Sequence, residues 1–481
     1  LLLLFPFFLD RFFSHVHSRQ NRPHRYSTFS EQCPVLNGLP RFRLFIACIC
    51  LCLSFGLPAH AEFGDSSLGW TQEQERAVAG YLQRRLQRQG NVINDVWLEY
   101  WLAERAERLR QTSTSSLGPV SVVLLRQKAF NAFALPGNVM GFNLGLWENA
   151  RTEDEFTSVV AHEIAHLSLR HFNRLSDNNR QQAWLAISGA LLGVALASMD
   201  TEIGGATLIG SQMGAAQQSL SFSRSMESEA DRYATDMLRQ AGYNPSAGAA
   251  VFARLQQSLG GRSGSDYWQT HPRAITRAAQ LEALQGSATG ATGQTSNQYD
   301  TLRWYINARY AADDDFAPDP AWQSLTATPD PLLPQQLLED PDPNSLLGWI
   351  RFQTTADDSL TLERLSLLLT LFPDFDPAWY LSAEVTARSG GANACREALG
   401  ALDRINGEYL DVFELRHRLS SECLQSREAE ATAAWYWHRG EESRALSLLR
   451  RAIEQPGDAS QLARLRAKVS DYERQLALLP S

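Results

Sequence analysis

Blocks of like charge are missing from this 481-residue chain. No long basic run occurs and the formal charge is −9, so the electrostatic footprint of a nucleic-acid binder is absent. The same balance offers no broad cationic field for anionic lipid. Cysteine is scarce: Cys33, Cys48, Cys50 and Cys52 lie near the beginning, and only Cys395 and Cys423 follow. None is near a histidine in sequence, which leaves a cysteine nucleophile without support. Methionine does not occur before Met140, so residues 1–38 read as leader or upstream translation outside the mature protein. What remains is ordinary: 44% apolar and 20% charged residues, enough for two to three globular domains with a real core.

From Leu39 the chain reads LPRFRLFIACICLCLSFGLPAHAEFG. Arg41 and Arg43 form a positive n-region, Leu44 to Leu57 an apolar h-region, and Ala59-His60-Ala61 an A-x-A site. These predict a secretory signal peptide over 39–61, cleaved after Ala61. The apolar run is short for a membrane span. Cys48 follows Phe-Ile-Ala, a weak and early match to a lipoprotein cleavage site. In an oxidising compartment Cys395 and Cys423 would form one disulfide, or else remain two buried thiols on neighbouring helices.

Residues 62–118 read as helix, with an apolar spacing that ends on Gly90. Strands are expected at Val120 to Leu125 and near Val139–Phe142, around a Pro136-Gly137 turn. Thr152 and Glu155 form a T-x-x-E capping box opening the next helix. The apolar segment AWLAISGALLGVALAS is short of a span and reads as a buried or interfacial helix. SMESEADRYATDMLRQAGYNP is a further helix. Its stripe is Met226, Ala230, Tyr233, Ala234, Met237 and Leu238, Gly242 ends it, and Asn244-Pro245 starts the next. Residues 286–297 have the composition of a flexible linker. Beyond them DPAWYLSAEVTARSGG and AEATAAWYWHRGEESRALSLLRRAIEQ suggest helix-turn-helix repeats of tetratricopeptide type, with a plain helical bundle as the alternative. Trp379, Tyr380, Trp435, Tyr436 and Trp437 there are core or recognition residues.

Histidine is scarce too. Past residue 61 there are six: His162, His166, His171, His271, His417 and His438. Three fall in VVAHEIAHLSLRH, Val159 to His171. On a helix, i and i+4 share a face, so His162 and His166 present their imidazoles side by side. Glu163 sits about 100° round. This H-E-x-x-H suits zinc, which takes neutral imidazole and keeps an open position for water. The metal acidifies that water, a carboxylate takes its proton, and the hydroxide attacks a peptide carbonyl. The pattern also occurs by chance as surface histidines beside a solvated glutamate. Glu227 and Asp231 are i,i+4 on the later helix. Glu227 would complete a two-His, one-carboxylate site, and Asp231 would hydrogen-bond a ligand histidine. Glu229 points elsewhere by spacing. His171, five residues past His166, rotates off the ligand face and reads as a packing or hydrogen-bonding residue. His271 precedes a proline in a loop that starts a helix; a loop histidine in this domain could approach the metal, but spacing alone favours a helix cap or a surface residue.

NAFALPG, HEIAH, SMESEADRYA and THPRAITR, in that order, resemble the M48 family of zinc metallopeptidases. The resemblance covers roughly residues 120–280. With the signal peptide and the helical C-terminal half, the mature chain is similar to periplasmic members of that family. The implied fold is mainly α: an α-helical zincin-type peptidase domain with a small β-sheet (62–285), the linker 286–297, and a tetratricopeptide-like domain (298–481). The implied site is one zinc held by His162, His166 and Glu227, with Glu163 as general base and Asp231 behind the ligands. His271 matches a loop histidine that takes the fourth zinc position and keeps the enzyme latent. Arg277 matches an arginine with a structural or substrate-carbonyl role. Asn131, Ala132 and Phe133 flank the cleft where substrate lies as an added strand. The implied substrates are misfolded, unfolded or stalled outer-membrane β-barrel proteins, whose assembly such an enzyme would also assist. The repeats would contact clients or the barrel-assembly machinery, and a peripheral membrane contact is compatible with this. A non-catalytic periplasmic chaperone or scaffold working through its repeats is the rival reading.

Overall fold

The computed structural model describes residues 71–171, 223–258, 271, 297–310, 341–353 and 357–479. The expected signal peptide, the apolar segment near 183–198 and residues 286–296 of the expected linker lie outside the described residues.

α1 (Gln72–Arg88) begins at Thr71, whose hydroxyl accepts from the Gln74 backbone while the Gln74 side chain accepts from the Thr71 backbone. That reciprocal cap satisfies two of the free amides at the helix start. Gly90, at φ +79°, stands just past its end. The helix read over 62–118 is corrected here: α1 and α2 (Val96–Thr112) are separate, with β1 (Val92–Ile93) between them. The polar residues around β1 decide this. Asp95 accepts from the Trp97 and Leu98 amides and so starts a new helix.

β2 (Ser121–Leu125), β3 (Ala132–Leu135) and β4 (Val139–Asn143) complete a four-stranded sheet in the order β1-β2-β4-β3. β2 and β4 run parallel with Val123 opposite Gly141, and β3 folds back antiparallel on β4 with Ala134 opposite Met140. The β3–β4 turn needs glycine at Gly137. Its φ is +82°, and a Cβ would stand 2.6 Å from the Glu75 carbonyl. Residues alternate between the two faces as strand geometry requires. Val123, Leu125, Leu135 and Val139 pack on Val78, Leu82 and Leu86 of α1. Leu124, Ala132, Ala134, Met140 and Phe142 face the larger core.

That core is built on Trp97, Trp101, Trp147 and Phe156. α3 (Leu144–Asn149) brings in Trp147, and α4 (Glu153–Ser168) runs through the middle, buried along its whole length. A helix buried on every side cannot show one apolar stripe. α5 (Arg224–Ala241) and α6 (Ala247–Ser258) pack along α4. α7 (Asn297–Tyr310) and α8 (Pro343–Gln353) enter the same core through Tyr299, Tyr305, Leu347 and Ile350. Chain segments on both sides of residues 286–296 therefore share it.

The remaining helices follow as a run. They are α9 (Asp358–Leu371), α10 (Asp376–Arg388), α11 (Gly391–Leu402), α12 (Leu410–Cys423), α13 (Gln425–His438), α14 (Glu442–Ile453) and α15 (Ala459–Ala477), each packed on the next. A disulfide joins Cys395 of α11 to Cys423 of α12. Trp437 is buried and stacks on Tyr472, while Trp435 and Tyr436 are half-buried. α1 meets this run directly. The Arg84 guanidinium lies 4.3 Å from the Trp437 ring centre and 3.2 Å from the Glu442 carboxylate. No described helix is long and apolar enough to cross a membrane.

Candidate metal centre

α4 holds His162, Glu163 and His166 at a fixed height because its first turn is clamped. Thr152 accepts from the Glu155 amide at 3.2 Å. The Glu155 carboxylate takes the Arg151 amide at 2.7 Å, with Arg254 as its ion-pair partner. Only the hydroxyl half of the expected capping box is therefore present, because Arg151 and Arg254 take the carboxylate. Beside it Glu153 pairs with buried Arg105 at 2.7 Å. α5 starts on Ser223, which accepts from the Met226 amide, and ends at Gly242 with φ +82°. Its stripe is buried at Met226, Ala230, Ala234, Met237 and Leu238, with Tyr233 half-buried. That stripe lays α5 on α4 with Glu227 facing the two histidines.

His162, His166, Glu227 and His271 converge, each buried, with one donor atom apiece inside a 4.8 Å sphere of mutual distances. The two Nε2 atoms of His162 and His166 are 2.9 Å apart. Glu227 places Oε2 3.5 Å from His162 Nε2 and Oε1 3.5 Å from His166 Nε2. His271 Nδ1 is 3.1 Å from Glu227 Oε1. Donors arranged tetrahedrally about zinc at 2.0–2.1 Å stand roughly 3.3 Å from one another, so the spacing suits such an ion. The chemistry suits it also. Burial, and then the neighbouring His162, hold the His166 imidazole well below the usual histidine range, so it stands neutral and able to ligate. Glu163 is fully buried, and neither of its carboxylate oxygens has a hydrogen-bond partner among the described residues. Its closest basic nitrogen is His271 Nε2 at 3.5 Å. A buried carboxylate in that condition fits a site completed by a cation and water.

Around the cluster lies a further layer. Asp231 Oδ1 is 3.1 Å from His162 Nδ1. His171 is buried, with Nδ1 2.9 Å from His166 Nδ1 and Nε2 3.5 Å from Glu229 Oε2. The expected hydrogen-bonding part for His171 is thus present. Glu229, read from spacing as pointing away from the ligands, lies outside the cluster of four and reaches His171 instead. α4 ends at Ser168 before His171, and Arg170 adopts φ +53°. Non-glycine residues rarely take that conformation, and no glycine or proline marks it in the sequence.

β3, one of the two edge strands of the described sheet, lies against α4. Asn131 and Ala132 are buried at its start, and the Asn131 carbonyl accepts from the Asn143 amide at 3.0 Å. Phe133 is half-buried and turns to the α1 face of the sheet. Its ring covers Gly141, where a Cβ would stand 2.1 Å away. Arg277 lies outside the described residues.

A family model described as peptidase family M48 matches residues 97–285, the stretch that contains all these groups. The beta-barrel assembly-enhancing protease of Escherichia coli (strain K12) is 29% identical over 251 residues, covering 50% of this chain and 52% of that protein. The metalloprotease LoiP of the same strain is 31% identical over 188 residues, 37% of this chain and 70% of the relative. The mitochondrial metalloendopeptidase OMA1 of Arabidopsis thaliana is 28% identical over 226 residues, 46% of this chain and 44% of the relative. The chain spans about half the length of the curated relatives it matches first.

Proposed function

The chain belongs to peptidase family M48, and on that footing we propose that it is a zinc-dependent endopeptidase. The carrying observation is the buried convergence of His162, His166, Glu227 and His271 beside the Glu163 carboxylate, which accepts no hydrogen bond from the described residues. His162, His166 and Glu227 hold the ion. Zinc there would supply Lewis acidity, polarising a carbonyl and lowering the pKa of water. Glu163 takes a proton on the carboxylate oxygen that faces the cluster and returns it to the leaving amine. Asp231 accepts from His162 and fixes its ring. His271, 3.1 Å from Glu227 and 3.5 Å from Glu163, would take the fourth position about the ion and keep the enzyme latent until it withdraws. The resemblance gives Arg277 a place behind the ligands or on a substrate carbonyl.

Substrate backbone adds as a strand to the β3 edge, beside α4, with Asn131 and Ala132 lining the entry. Strand addition uses main-chain hydrogen bonds and therefore suits unfolded clients of varied sequence. The substrates are misfolded or stalled outer-membrane β-barrel proteins, and the site of action is the periplasm. The Escherichia coli relative is named for enhancing β-barrel assembly, which supports a β-barrel client. The Cys395–Cys423 disulfide supports an oxidising compartment. The helical run from α9 onward acts as a tetratricopeptide-like surface that presents clients or contacts the barrel-assembly machinery.

The deciding assay is cleavage of an unfolded protein by His271→Ala, with and without Glu163→Gln. Cleavage that Glu163→Gln abolishes supports the peptidase. A zinc-loaded His271→Ala chain that cleaves nothing favours a scaffold acting through its repeats.

A further inference from the structure

Two imidazoles flank the proposed ion, and each needs its Nε2 lone pair aimed at it. A neutral imidazole carries one proton, so a ring that ligates through Nε2 holds that proton on Nδ1. For His162 the acceptor of this proton is the Asp231 carboxylate at 3.1 Å. For His166 the partner is another histidine: His171 Nδ1 stands 2.9 Å from His166 Nδ1. Two nitrogens facing each other at that distance can share only one proton. If His166 donates, His171 must accept, and its own proton is then on Nε2. That nitrogen faces Glu229 Oε2 at 3.5 Å.

We infer that His171 is a positioning residue for the metal centre: it holds His166 in the tautomer that presents Nε2, and Glu229 holds His171 in turn. The inference rests on the reading of the cluster as a zinc site. Three features of the fold converge on it. His171 is fully buried. The chain adopts φ +53° at Arg170 immediately before it, a conformation retained where surrounding contacts enforce it. Alternate residues of α5 serve three tasks: Glu227 faces both ligand rings, Asp231 lies behind His162, and Glu229 lies behind the ring that supports His166. The directional contact is the inner one, His171 Nδ1 at 2.9 Å from His166 Nδ1; Glu229 at 3.5 Å acts on the outer nitrogen by charge.

The test is zinc affinity of the full chain, measured by competition with a chromophoric chelator, with the visible spectrum of the cobalt-substituted protein as second readout. His171→Phe keeps a ring and removes the acceptor; it is expected to weaken zinc binding about 10- to 100-fold and to alter the cobalt bands. His171→Asn puts an amide oxygen where Nδ1 stood, and is expected to stay within about threefold of native because the acceptor is restored. Melting of both metal-free variants separates a positioning loss from general damage. Native-like zinc affinity in His171→Phe overturns the inference, as does an equal loss in both variants. Should His171→Phe not fold, half-buried Glu229→Ala decides, since unchanged affinity there overturns the outer link. A native chain that binds no zinc overturns this inference and the zinc reading together, whereas a native chain that binds zinc alongside an unaffected His171→Phe overturns this inference alone.

Discussion

Asp231 Oδ1 lies 3.1 Å from His162 Nδ1, one helical turn along α5 from the carboxylate of Glu227 that faces the same ring. Under the proposed zinc reading, one helix would supply both a group for the ion and the group that orients another of its ligands. The i,i+4 spacing makes this possible, since both side chains leave the helix on one face. Asp231→Asn keeps the shape and removes the charge. Zinc affinity should fall about 10- to 100-fold, with the metal-free chain melting close to native, as chelator competition and thermal unfolding would record. Native affinity in this variant would remove Asp231 from the site.

The disulfide yields a second expectation, independent of the metal. Cys395 and Cys423 are separated by 28 residues and tie α11 to α12. A link across a loop of that size stabilises mainly by restricting the unfolded chain, by about 2–4 kcal/mol. Replacing both cysteines by serine should lower the denaturant midpoint accordingly, and reductant should then have no further effect. Zinc affinity should not change, because the bond lies in another cluster of the fold.

Much of this was legible in the sequence because it lies within single helices. The i,i+4 pairs His162/His166 and Glu227/Asp231 follow from helical geometry alone, as does the α5 stripe ending at Gly242. The capping box at Thr152 and Glu155 was legible only in part, since the Glu155 carboxylate accepts from the Arg151 backbone amide and pairs with Arg254 on α6. β1 was missed because two residues carry no periodicity, and its pairing with Leu124 and Leu125 is a tertiary fact. The His171–His166 contact was hidden for a different reason. Helical spacing places His171 off the ligand face, and only the φ of +53° at Arg170 brings it back. Spacing sets Glu229 apart from the ligands, as it stands, but gives no partner for it; that partner is His171. His271 stands 3.1 Å from Glu227; spacing alone favours a cap or surface residue there, and only the THPRAITR resemblance points it to the metal.

Asp411 predicts a pH dependence of stability. It stands in the first turn of α12, and its carboxyl is pushed up to about 7, first by burial and then by Asp95 and Glu414, with Arg309 opposing. The unfolded carboxyl titrates near 3.9. Between those values the folded chain keeps a proton that the unfolded chain has lost, so this group makes stability fall as pH rises from about 4 to about 7. Its contribution is fully present below that window and gone above it. Asp411→Asn should therefore raise the denaturant midpoint at pH 8 and leave it nearly unchanged at pH 4. An equal effect at both values would assign the change to packing instead of titration.

Gly440 sits where α13 turns into α14, against the first helix of the fold. Its φ is +77°, and a Cβ there would stand 2.3 Å from the Arg84 carbonyl and 3.3 Å from the Arg88 side chain. Two separate costs therefore meet in one substitution. The backbone conformation disfavours any side chain by about 1–2 kcal/mol, and a backbone oxygen cannot yield as a flexible side chain would. Relief of the clash would require α1 to part from the turn, which would pull Arg84 from its seat over Trp437 and from Glu442. Arg84 is itself buried, so a guanidinium separated from its carboxylate there adds a penalty of its own. Gly440→Ala should thus destabilise the chain by more than the backbone term alone. Glu442→Gln, which removes the charge partner and leaves the turn intact, should give a smaller loss. A Gly440→Ala loss no larger than the backbone term would mean that α1 and α14 separate without consequence. The Arg84–Glu442 contact would then be incidental to how the first helix is held.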